Sequence, residues 1–550
     1  MKNISEPKMV LDIEYQLKGQ PEFLHTNRTN DDLSVEVKEE GNRHIVIVKA
    51  LKDVTLTRGK IDGVHTFQKN DVFPTNGYQS WTDTSERTFA ERNKERDVKK
   101  LPRILRDKFS LDRYGDGVFY PYKPNTVHGY DIFYVKGERE LFSFNYNYKS
   151  AYIIFEINVK TRALAILSDV YGQDLKKGET ATIYDLYYCF DYQKGLKDFQ
   201  EAFKVSGSEK IFGYTSWYNY YQNINEEIIL RDLDALDSRF NLFQIDDGYE
   251  TFVGDWLDVD PKKFPNGLKP IVDKIHAKGF KAGIWLAPFV AETKSKVFRE
   301  HTDWFKHEED GSLAKCGVNW SGFYALDLDK KEVQEYVKKC LQFYVDLGFD
   351  FFKLDFLYAS MIAPTPGKSR AIMSDQSYQM LRDILKDKLI LGCGANCFSS
   401  YQKFNYLRIG PDVSLKFDDV WYMKYMHRER ISTKITLQNT IYRSLFNNHL
   451  FLNDPDVFLL RKENIELNDA QKNSLVTINA LFGSVLMTSD NIATYDEATK
   501  ELLEKKLELF YNAKNVSFKK EGKNIHIYYE LNDKKESFIY NTRKGTLKNG

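Results

Sequence analysis

The sequence predicts a multidomain protein of mixed α/β and β structure: an N-terminal β-sandwich, a central (β/α)8 TIM barrel and a C-terminal antiparallel β-sheet domain. Three observations predict this order. Short apolar runs of period two fill roughly the first 205 residues, strand-like and helix-like runs then alternate, and short strands return at the end of the chain. We therefore divide the 550 residues into 1–207, 208–490 and 491–550.

The N-terminal segment is predicted to be a β-sandwich because its apolar residues alternate. The clearest runs are HIVIVKA at 44–50, DIFYVKG at 131–137 and SAYIIFEINV at 150–159. Gly, Asn and Asp turns separate them, and no helical period extends through most of the segment.

The central segment is predicted to be a barrel because eight strand-like runs alternate with amphipathic stretches. Examples of the latter are 225–240, 267–279 and 330–348, where apolar residues recur every three or four positions. Eight such units within some 280 residues fit a (β/α)8 barrel better than a doubly wound sheet. In the fifth unit, 395–405 is too short for a full helix. The eight runs are GYTSWYN (213–219), LFQID (242–246), KAGIWLA (281–287), FFKLDF (351–356), LILGCG (389–394), YLRIGPD (406–412), LFLND (450–454) and SVLMTS (484–489).

The C-terminal segment begins with a charged helix, predicted at 496–513. Three short strand-like runs follow it: NVSFKKEG, NIHIYYEL and KESFIYN. They predict a small antiparallel sheet.

The charge balance argues against large anionic partners. Charged residues make up 29% of the chain, yet the formal net charge is +0, which provides no basic surface for nucleic acid or a membrane. Aromatic residues reach 15%; most serve packing, and a few would suit stacking on sugar rings. We expect a small uncharged substrate, no nucleic acid and no membrane partner. These patterns do not determine the oligomeric state.

Cysteine usage and the N-terminus predict a cytoplasmic protein. The five cysteines form no CxxC pair, so they indicate neither a disulfide framework nor a zinc site. The start, MKNISEPKMVLDIEYQ, lacks the apolar segment of a signal peptide. No window approaches the roughly 18 apolar residues of a membrane span.

Polar and aromatic residues collect where the barrel strands are predicted to end, which is where reactive groups lie in such barrels. Lys353 and Asp355 share one face of an otherwise apolar strand, and a buried pair with only each other as partners offers little net stability. A site is the better explanation. The other strand-end residues are Trp217, Tyr218, Asp246, Asp247, Trp285, Cys393, Arg408, Asp412, Asn453, Asp454 and Asp456.

Several carboxylates beside one Arg, one Lys and flat aromatic rings are what a glycoside hydrolase needs. One carboxylate attacks the sugar or activates water, and one carboxylic acid protonates the leaving oxygen. Lys353 would hold Asp355 ionised and donate a hydrogen bond to a sugar hydroxyl. Asp412 is the candidate acid, with Asp418 and Asp419 as alternatives. Other chemistries fit poorly, because the chain has no HExxH or GxSxG motif and PGKS at 366–369 lacks the earlier Gly of a phosphate loop.

The barrel motifs resemble those of glycoside hydrolase family 36, the bacterial α-galactosidases, and especially its shorter members. NGYQSWTD at 76–83 is similar to the family's N-terminal loop, which reaches over the active site. The matching barrel motifs are FQIDDGYETFVGDW (243–256), KAGIWLAPF (281–289), YALDLDKKEV (324–333), FFKLDFLYA (351–359), ILGCG (390–394), RIGPD (408–412) and FLNDPD (451–456).

This resemblance implies a retaining hydrolysis of terminal α-linked galactose, with a β-supersandwich in front of the barrel and neither a metal nor an organic cofactor. Asp355 would be the nucleophile and Asp412 the acid/base. Asp246 and Asp247 would bind the hydroxyls at C4 and C6. Lys353 and Arg408 would bind other hydroxyls of the sugar. Cys393 would line the pocket floor. The walls would be formed by Trp285, by Trp217 or Tyr218, and by Trp81.

One stretch departs from the family pattern and leaves the sugar open. Between Cys393 and Arg408 the chain reads GANCFSSYQKFNYL, where shorter α-galactosidases carry small residues with Pro and Gly. The loop is expected to border the C2 substituent and the aglycone. An α-N-acetylgalactosaminidase with the same machinery is therefore the alternative, and an inactive sugar-binding protein is a third hypothesis.

Overall fold

A computed structural model of the chain describes residues 9–91, 97–108, 111, 113–205, 207 and 209–550. Its architecture is the one expected: antiparallel sheets come first, a parallel barrel lies in the middle, and an antiparallel sheet ends the chain. The boundaries at 207 and 490 stay a prediction.

Two antiparallel sheets pack face to face in the N-terminal part. Their facing side chains, among them Val48, Phe133, Phe155 and Ile183, form one hydrophobic cluster, so the expected sandwich is present. The six-stranded sheet runs in the order Leu24–Thr26, Val10–Leu17, Val54–Thr66, Ala163–Leu175, Tyr152–Asn158 and Thr126–Tyr130. The five-stranded sheet runs Leu33–Glu40, Arg43–Ala50, Thr180–Cys189, Leu141–Asn145 and Ile132–Val135, and Phe73–Thr75 pairs with Ser85–Arg87.

The strand Tyr152–Asn158 shows why this region reads as almost continuously apolar. Ile153 and Phe155 point into the sandwich, whereas Tyr152 and Ile154 belong to a second, larger cluster shared with the barrel. Both faces of the strand are therefore buried.

The barrel strands are parallel and lie in sequence order, with the eighth pairing with the first. All eight expected strands are present. The seventh is split at Pro455 and Asp456: its first part pairs with strand six and its second with strand eight. The strands are Ile211–Thr215, Leu242–Ile245, Lys281–Leu286, Phe351–Leu354, Leu389–Gly392, Tyr406–Arg408, Leu452–Asp454 with Val457–Phe458, and Val485–Thr488.

The amphipathic stretches form the outer helices. In Lys331–Leu347 the expected stripe of Val333, Val337, Leu341 and Tyr344 is buried, and Gly348 ends the helix with φ 100°. Side-chain caps start several helices; Asn225, for example, accepts from the amide of Ile228 at 2.8 Å. The helices are Glu226–Ala235, Lys269–Ala277, Lys296–Glu300, Lys331–Leu347, Arg370–Leu385, Met423–Met426, Thr433–Tyr442 and Asp469–Phe482. Residues 395–405 form turns and no helix, as their length predicts.

Smaller elements complete the fold. A three-stranded sheet of Val290–Glu292, Phe323–Ala325 and Lys315–Gly317 follows the third barrel strand. Short helices outside the barrel are Arg103–Lys108, Asp116–Phe119 and Tyr192–Ala202. The 3-10 turns are Val98–Lys100, Thr302–Trp304, Leu357–Met361, Ser444–Phe446 and Ile492–Thr494.

The C-terminal part is the helix Glu497–Asn512 and a four-stranded sheet. The sheet buries Ile525, Ile527 and Tyr540 in the large cluster that also contains the barrel core. Within the described ranges, no helix is long and apolar enough to cross a membrane. The sheet strands are Lys514–Glu521, Asn524–Leu531, Lys534–Asn541 and Thr546–Asn549.

Candidate active site

Asp355 lies immediately after the fourth barrel strand and is almost fully buried. Its Oδ2 accepts a hydrogen bond from Nε1 of Trp285 at 3.0 Å, and its Oδ1 accepts from the amide of Phe356 at 2.8 Å. Phe356 has φ 55°, a left-handed conformation that is strained for a bulky side chain and turns the chain away from the strand direction. This turn directly after the strand leaves Asp355 at the mouth of the barrel.

Two opposing influences act on the ionisation of Asp355. Burial raises the pKa of its carboxyl and the negative charge of Asp412 raises it further, while Lys353 and the Trp285 hydrogen bond lower it; burial prevails. Lys353 is thus the strongest of the influences that favour the carboxylate of Asp355, and burial outweighs it.

Lys353 pairs with Asp246 rather than with Asp355. The two side chains enter the barrel from the fourth and second strands, and Nζ of Lys353 lies 2.8 Å from Oδ2 of Asp246. Burial disfavours the ammonium, but the Asp246 charge outweighs it and raises the pKa of Lys353. Gln244 and Thr215 also donate to Oδ2 of Asp246, at 2.7 and 3.2 Å.

Arg408 contacts three carboxylates at the end of the sixth strand. Its Nε donates to Asp454 at 3.0 Å, its Nη1 to Asp412 at 3.1 Å, and its Nη2 lies 2.8 Å from Asp456. Tyr218 donates its hydroxyl to Asp456 as well. Burial and the neighbouring carboxylates raise the pKa of Asp456 to about 7 even though Arg408 lowers it.

Asp412 is the one member of this group with an exposed carboxyl: its side chain is 37% exposed, against 1% for Asp454 and Asp456. It therefore faces the solvent side of the mouth, where a departing group would leave. Both Asp355 and Tyr114 of the N-terminal part feel its charge.

Asp418, one of the two alternative acids, has other partners. Asp418 accepts from Ser432 at 2.9 Å and pairs with Arg430 and Lys424 at 3.2 and 3.1 Å. Although burial opposes ionisation, these cations lower the pKa of Asp418. An acid with a lowered pKa is poorly suited to protonate a leaving group.

Asp247 is surrounded by residues that the sequence analysis missed. Its carboxylate accepts from Nε2 of Gln222 at 3.0 Å and from Nε1 of Trp320 at 2.9 Å. Burial raises the pKa of Asp247, and burial together with the charge of Asp247 raises the pKa of Glu250 strongly. Gly248 allows the approach of Gln222, since a Cβ there would lie 2.7 Å from the Gln222 main chain.

From the N-terminal part, Trp81 reaches the residues at the ends of the barrel strands. Its Nε1 lies 3.2 Å from Sγ of Cys393, and its ring packs edge to face on Phe356 with 5.4 Å between ring centroids. Gly394 has φ 65°, and a Cβ at this position would lie 3.1 Å from the indole. Cys393 is buried beside Asp355, and burial raises the pKa of its thiol.

The first strand ends earlier than predicted. It stops at Thr215, and Trp217 and Tyr218 lie in the helical turn Trp217–Tyr220. The half-buried ring of Trp217 packs edge to face on Tyr221 at 5.2 Å. In the described part of the chain, no group of three or more His, Cys, Asp or Glu side chains is arranged to hold a metal ion.

Comparison with known proteins agrees with this barrel. Residues 206–382, which contain Asp246, Asp247, Lys353 and Asp355, match the family described as Melibiase. The matched residues make up about a third of the chain.

Curated relatives match the chain over part of their own length. An α-galactosidase of Escherichia coli is 25% identical over 233 residues, 39% of this chain and 32% of that protein. An "A type blood alpha-D-galactosamine galactosaminidase" of Flavonifractor plautii is 28% identical over 205 residues, 33% of this chain and 19% of that protein. The aligned segments thus span a third or less of these relatives.

Solved structures show the same fold along nearly the whole chain. The α-galactosidase TtGalA of Thermus thermophilus, in complex with p-nitrophenyl α-D-galactopyranoside, has a TM-score of 0.67 at 22% identity, covering 91% of this chain and 98% of that one. The glycoside hydrolase family 36 α-galactosidase AgaA of Geobacillus stearothermophilus has a TM-score of 0.58 at 12% identity, covering 96% and 80%.

Proposed function

We propose that the protein is a retaining α-galactosidase, which hydrolyses terminal non-reducing α-linked galactose from oligosaccharides or glycoconjugates. The observation that carries the proposal is the buried Asp355 carboxylate, held by Trp285 and within electrostatic range of the exposed Asp412. Double displacement needs one carboxylate as the nucleophile and one carboxylic acid that protonates the leaving oxygen, and these two residues supply such a pair. The Melibiase match over residues 206–382 supports it.

In the first step, an oxygen of Asp355 attacks the anomeric carbon while the bond to the leaving oxygen breaks and Asp412 gives that oxygen a proton. The product is a covalent β-glycosyl-enzyme. In the second step, Asp412 takes a proton from water, the water attacks the anomeric carbon, and Asp355 is released. The net result retains the α configuration.

The remaining residues bind the sugar in this proposal. Asp246 and Asp247 accept hydrogen bonds from the hydroxyls at C4 and C6, with their orientation fixed by Lys353 and by Gln222 and Trp320 respectively. Lys353 and Arg408 contact further hydroxyls. Cys393 forms the floor, and the aromatic walls are Trp285, Trp81, and Trp217 or Tyr218. We also propose domains at 1–207, 208–490 and 491–550.

The substrate class is supported by what related proteins bind. TtGalA has been solved in complex with p-nitrophenyl α-D-galactopyranoside and with stachyose. An N-acetylgalactosamine substrate is the second candidate, favoured by the altered loop between Cys393 and Arg408 and by the galactosaminidase among the relatives. Galactose is the first candidate because the compared solved structures with bound sugar hold α-galactosides.

The test compares initial rates on p-nitrophenyl α-galactoside and on the matching α-N-acetylgalactosaminide, in buffer containing a chelator. We expect the galactoside to be favoured by about a hundredfold or more, which is about 2.7 kcal/mol of transition-state discrimination. Asp355→Ala should lower kcat by at least about a thousandfold, because no nucleophile remains. The matched control is Asp383→Ala, on the exposed face of helix Arg370–Leu385, which should keep wild-type rates.

A preference for the acetamido sugar would replace the first candidate by the second. Substantial turnover by Asp355→Ala would refute the assignment of the nucleophile. Tight binding of an α-galactoside without hydrolysis by the wild type would show a sugar-binding protein instead.

A further inference from the structure

Arg443 follows the helix Thr433–Tyr442 and buries its guanidinium without a carboxylate partner. The residue is 1% exposed. Burial lowers its pKa, and none of the carboxylates in the described ranges forms an ion pair with it. Because a buried charge without a counterion is costly, this arginine needs a specific reason to be there.

Main-chain carbonyl groups are its partners. Nη1 donates to the carbonyl oxygen of Ser80 and, at 2.8 Å, to that of Ile409. Nη2 donates to the carbonyl oxygens of Gln79 and Thr82, at 3.2 and 3.1 Å. The planar guanidinium of Arg443 thus donates from both terminal nitrogens. It binds three carbonyl oxygens of a single N-terminal segment and one carbonyl oxygen of the barrel.

That segment, residues 79–84, is here called the strap. Its other contacts also go to the barrel: the amide of Ser80 donates to the carbonyl oxygen of Ala395 at 2.9 Å. Asn439, in the helix that Arg443 follows, donates to the Thr82 carbonyl at 3.0 Å and accepts from the Thr84 amide at 2.7 Å. The hydroxyl of Thr82 donates to Glu429 at 2.7 Å.

The strap carries Trp81, so its position decides where the indole lies. Trp81 contacts Cys393 and packs on Phe356, whose amide holds the Asp355 carboxylate. A small shift of the strap would therefore change the position of the indole relative to Cys393 and Phe356.

We propose that Arg443 is a positioning residue for the reaction: it locks the strap onto the barrel so that Trp81 closes the sugar pocket beside Asp355. The inference rests on the proposed function. It assigns Arg443 no contact with substrate, and its whole effect on activity passes through Trp81.

The test is a double-mutant cycle on kcat/KM for p-nitrophenyl α-galactoside with Arg443→Met, Trp81→Ala and both together. We expect each single variant to lose about tenfold or more, mainly through KM, and the double variant to lose no more than the worse single one. Independent roles would instead multiply the two losses, and that outcome overturns the proposal. Arg443→Lys, which keeps the charge without the fork, serves the same cycle if the Met variant does not fold.

A second readout does not need activity. Hydrogen exchange of peptides covering the strap should be about tenfold faster in Arg443→Met than in the wild type. Arg382 is the matched control: it also donates to main-chain carbonyls, those of Lys403 and Lys388 at 2.7 and 2.9 Å, away from the strand ends that form the site. Arg382→Met should leave both strap exchange and KM unchanged.

Unchanged strap exchange in a folded Arg443 variant overturns the proposal, and so does a failure of both Arg443 variants to fold, since the residue would then serve folding itself. A wild-type protein without turnover counts against the proposed function. Faster hydrogen exchange of the strap in Arg443→Met would, even then, support the proposal that Arg443 holds the strap on the barrel.

Discussion

At the scale of single residues, the site depends on how Asp355 is kept ionised in a buried position. Burial raises the pKa of Asp355. The indole N–H of Trp285 donates a hydrogen bond to its carboxylate, and this bond lowers the pKa. In the proposed reaction Asp355 attacks as the carboxylate, so activity should fall as the pH drops through this raised pKa.

Trp285→Phe should therefore shift the acidic limb of the pH profile of kcat/KM to higher pH. Phenylalanine keeps a flat ring in the wall but removes the N–H, so one influence that lowers the pKa of Asp355 is lost. The measurement is kcat/KM for p-nitrophenyl α-galactoside between about pH 4 and pH 8.

Trp320→Phe is the control for that shift. Its indole donates to Asp247 and not to Asp355, so it should raise KM without moving the acidic limb. An unchanged limb in Trp285→Phe, or an equal shift in both variants, would contradict the role of Trp285.

Residue identities at the strand ends could be predicted from sequence, but their partners could not. Period two places Lys353 on a face and says nothing about which strand across the barrel supplies its counterion, so Asp246 was missed as its partner. Trp320 reaches Asp247 from a turn between two short strands, and such a turn has no period. Its one signal in the sequence is a tryptophan within the polar stretch NWSG at 319–322.

At the scale of elements, the connection between strands Thr126–Tyr130 and Ile132–Val135, which belong to the two different sheets of the sandwich, contains a buried acid. Asp131 has φ 60°, and its Oδ1 accepts from the amide of Ile153 at 3.0 Å and from Nδ2 of Asn145 at 2.8 Å. Burial outweighs these hydrogen bonds and raises the pKa of Asp131 to about 6.

Asp131→Asn should stabilise the protein at neutral pH. For a carboxyl with a raised folded-state pKa, the stabilising contribution is complete below the ordinary 3.8 and is lost as the pH rises towards 6. The rise of the pKa from 3.8 to about 6 corresponds to about 3 kcal/mol of the free energy of unfolding. Asparagine keeps a side-chain carbonyl acceptor, tolerates positive φ and does not ionise.

Thermal unfolding of wild type and variant at about pH 4 and pH 7.5 checks this. The midpoint of Asp131→Asn should exceed that of the wild type at the higher pH, and the gap should narrow at the lower pH. Asp62→Asn is the control, since its side chain is 51% exposed and should give no such pH dependence. A gap that is the same at both pH values would refute the buried charge as its cause.

The elements themselves differ in how far the sequence determines them. All eight barrel strands were predictable because parallel strands buried on both faces read as continuous apolar runs. The break of the seventh strand at Pro455 and Asp456 was not, since Asp456 takes φ 73° to let one strand pair with both neighbours. Likewise Trp217 and Tyr218 read as strand but form a helical turn.

At the scale of the whole molecule, one hydrophobic cluster joins all three parts of the chain. It contains Phe144 and Tyr152 of the N-terminal sheets, the barrel core, and Ile525 and Tyr540 of the last sheet. The interior of the sandwich forms a separate cluster. The sequence predicted the order of the domains, but the shared core follows from side chains on the outer faces of the sheets, which alternation alone assigns to solvent.

Galactose should therefore stabilise the N-terminal sandwich together with the barrel. A ligand that binds only the native site raises stability by about 2.7 kcal/mol at a hundredfold excess over its Kd. The strap and the shared cluster connect the sandwich to that site through direct contacts. The sandwich should therefore not unfold before the barrel site does. Differential scanning calorimetry with and without galactose should show the whole transition moving to higher temperature, and galactose-free Trp81→Ala should begin to unfold earlier. A separate low-temperature transition that galactose leaves in place would show that the sandwich unfolds independently of the site.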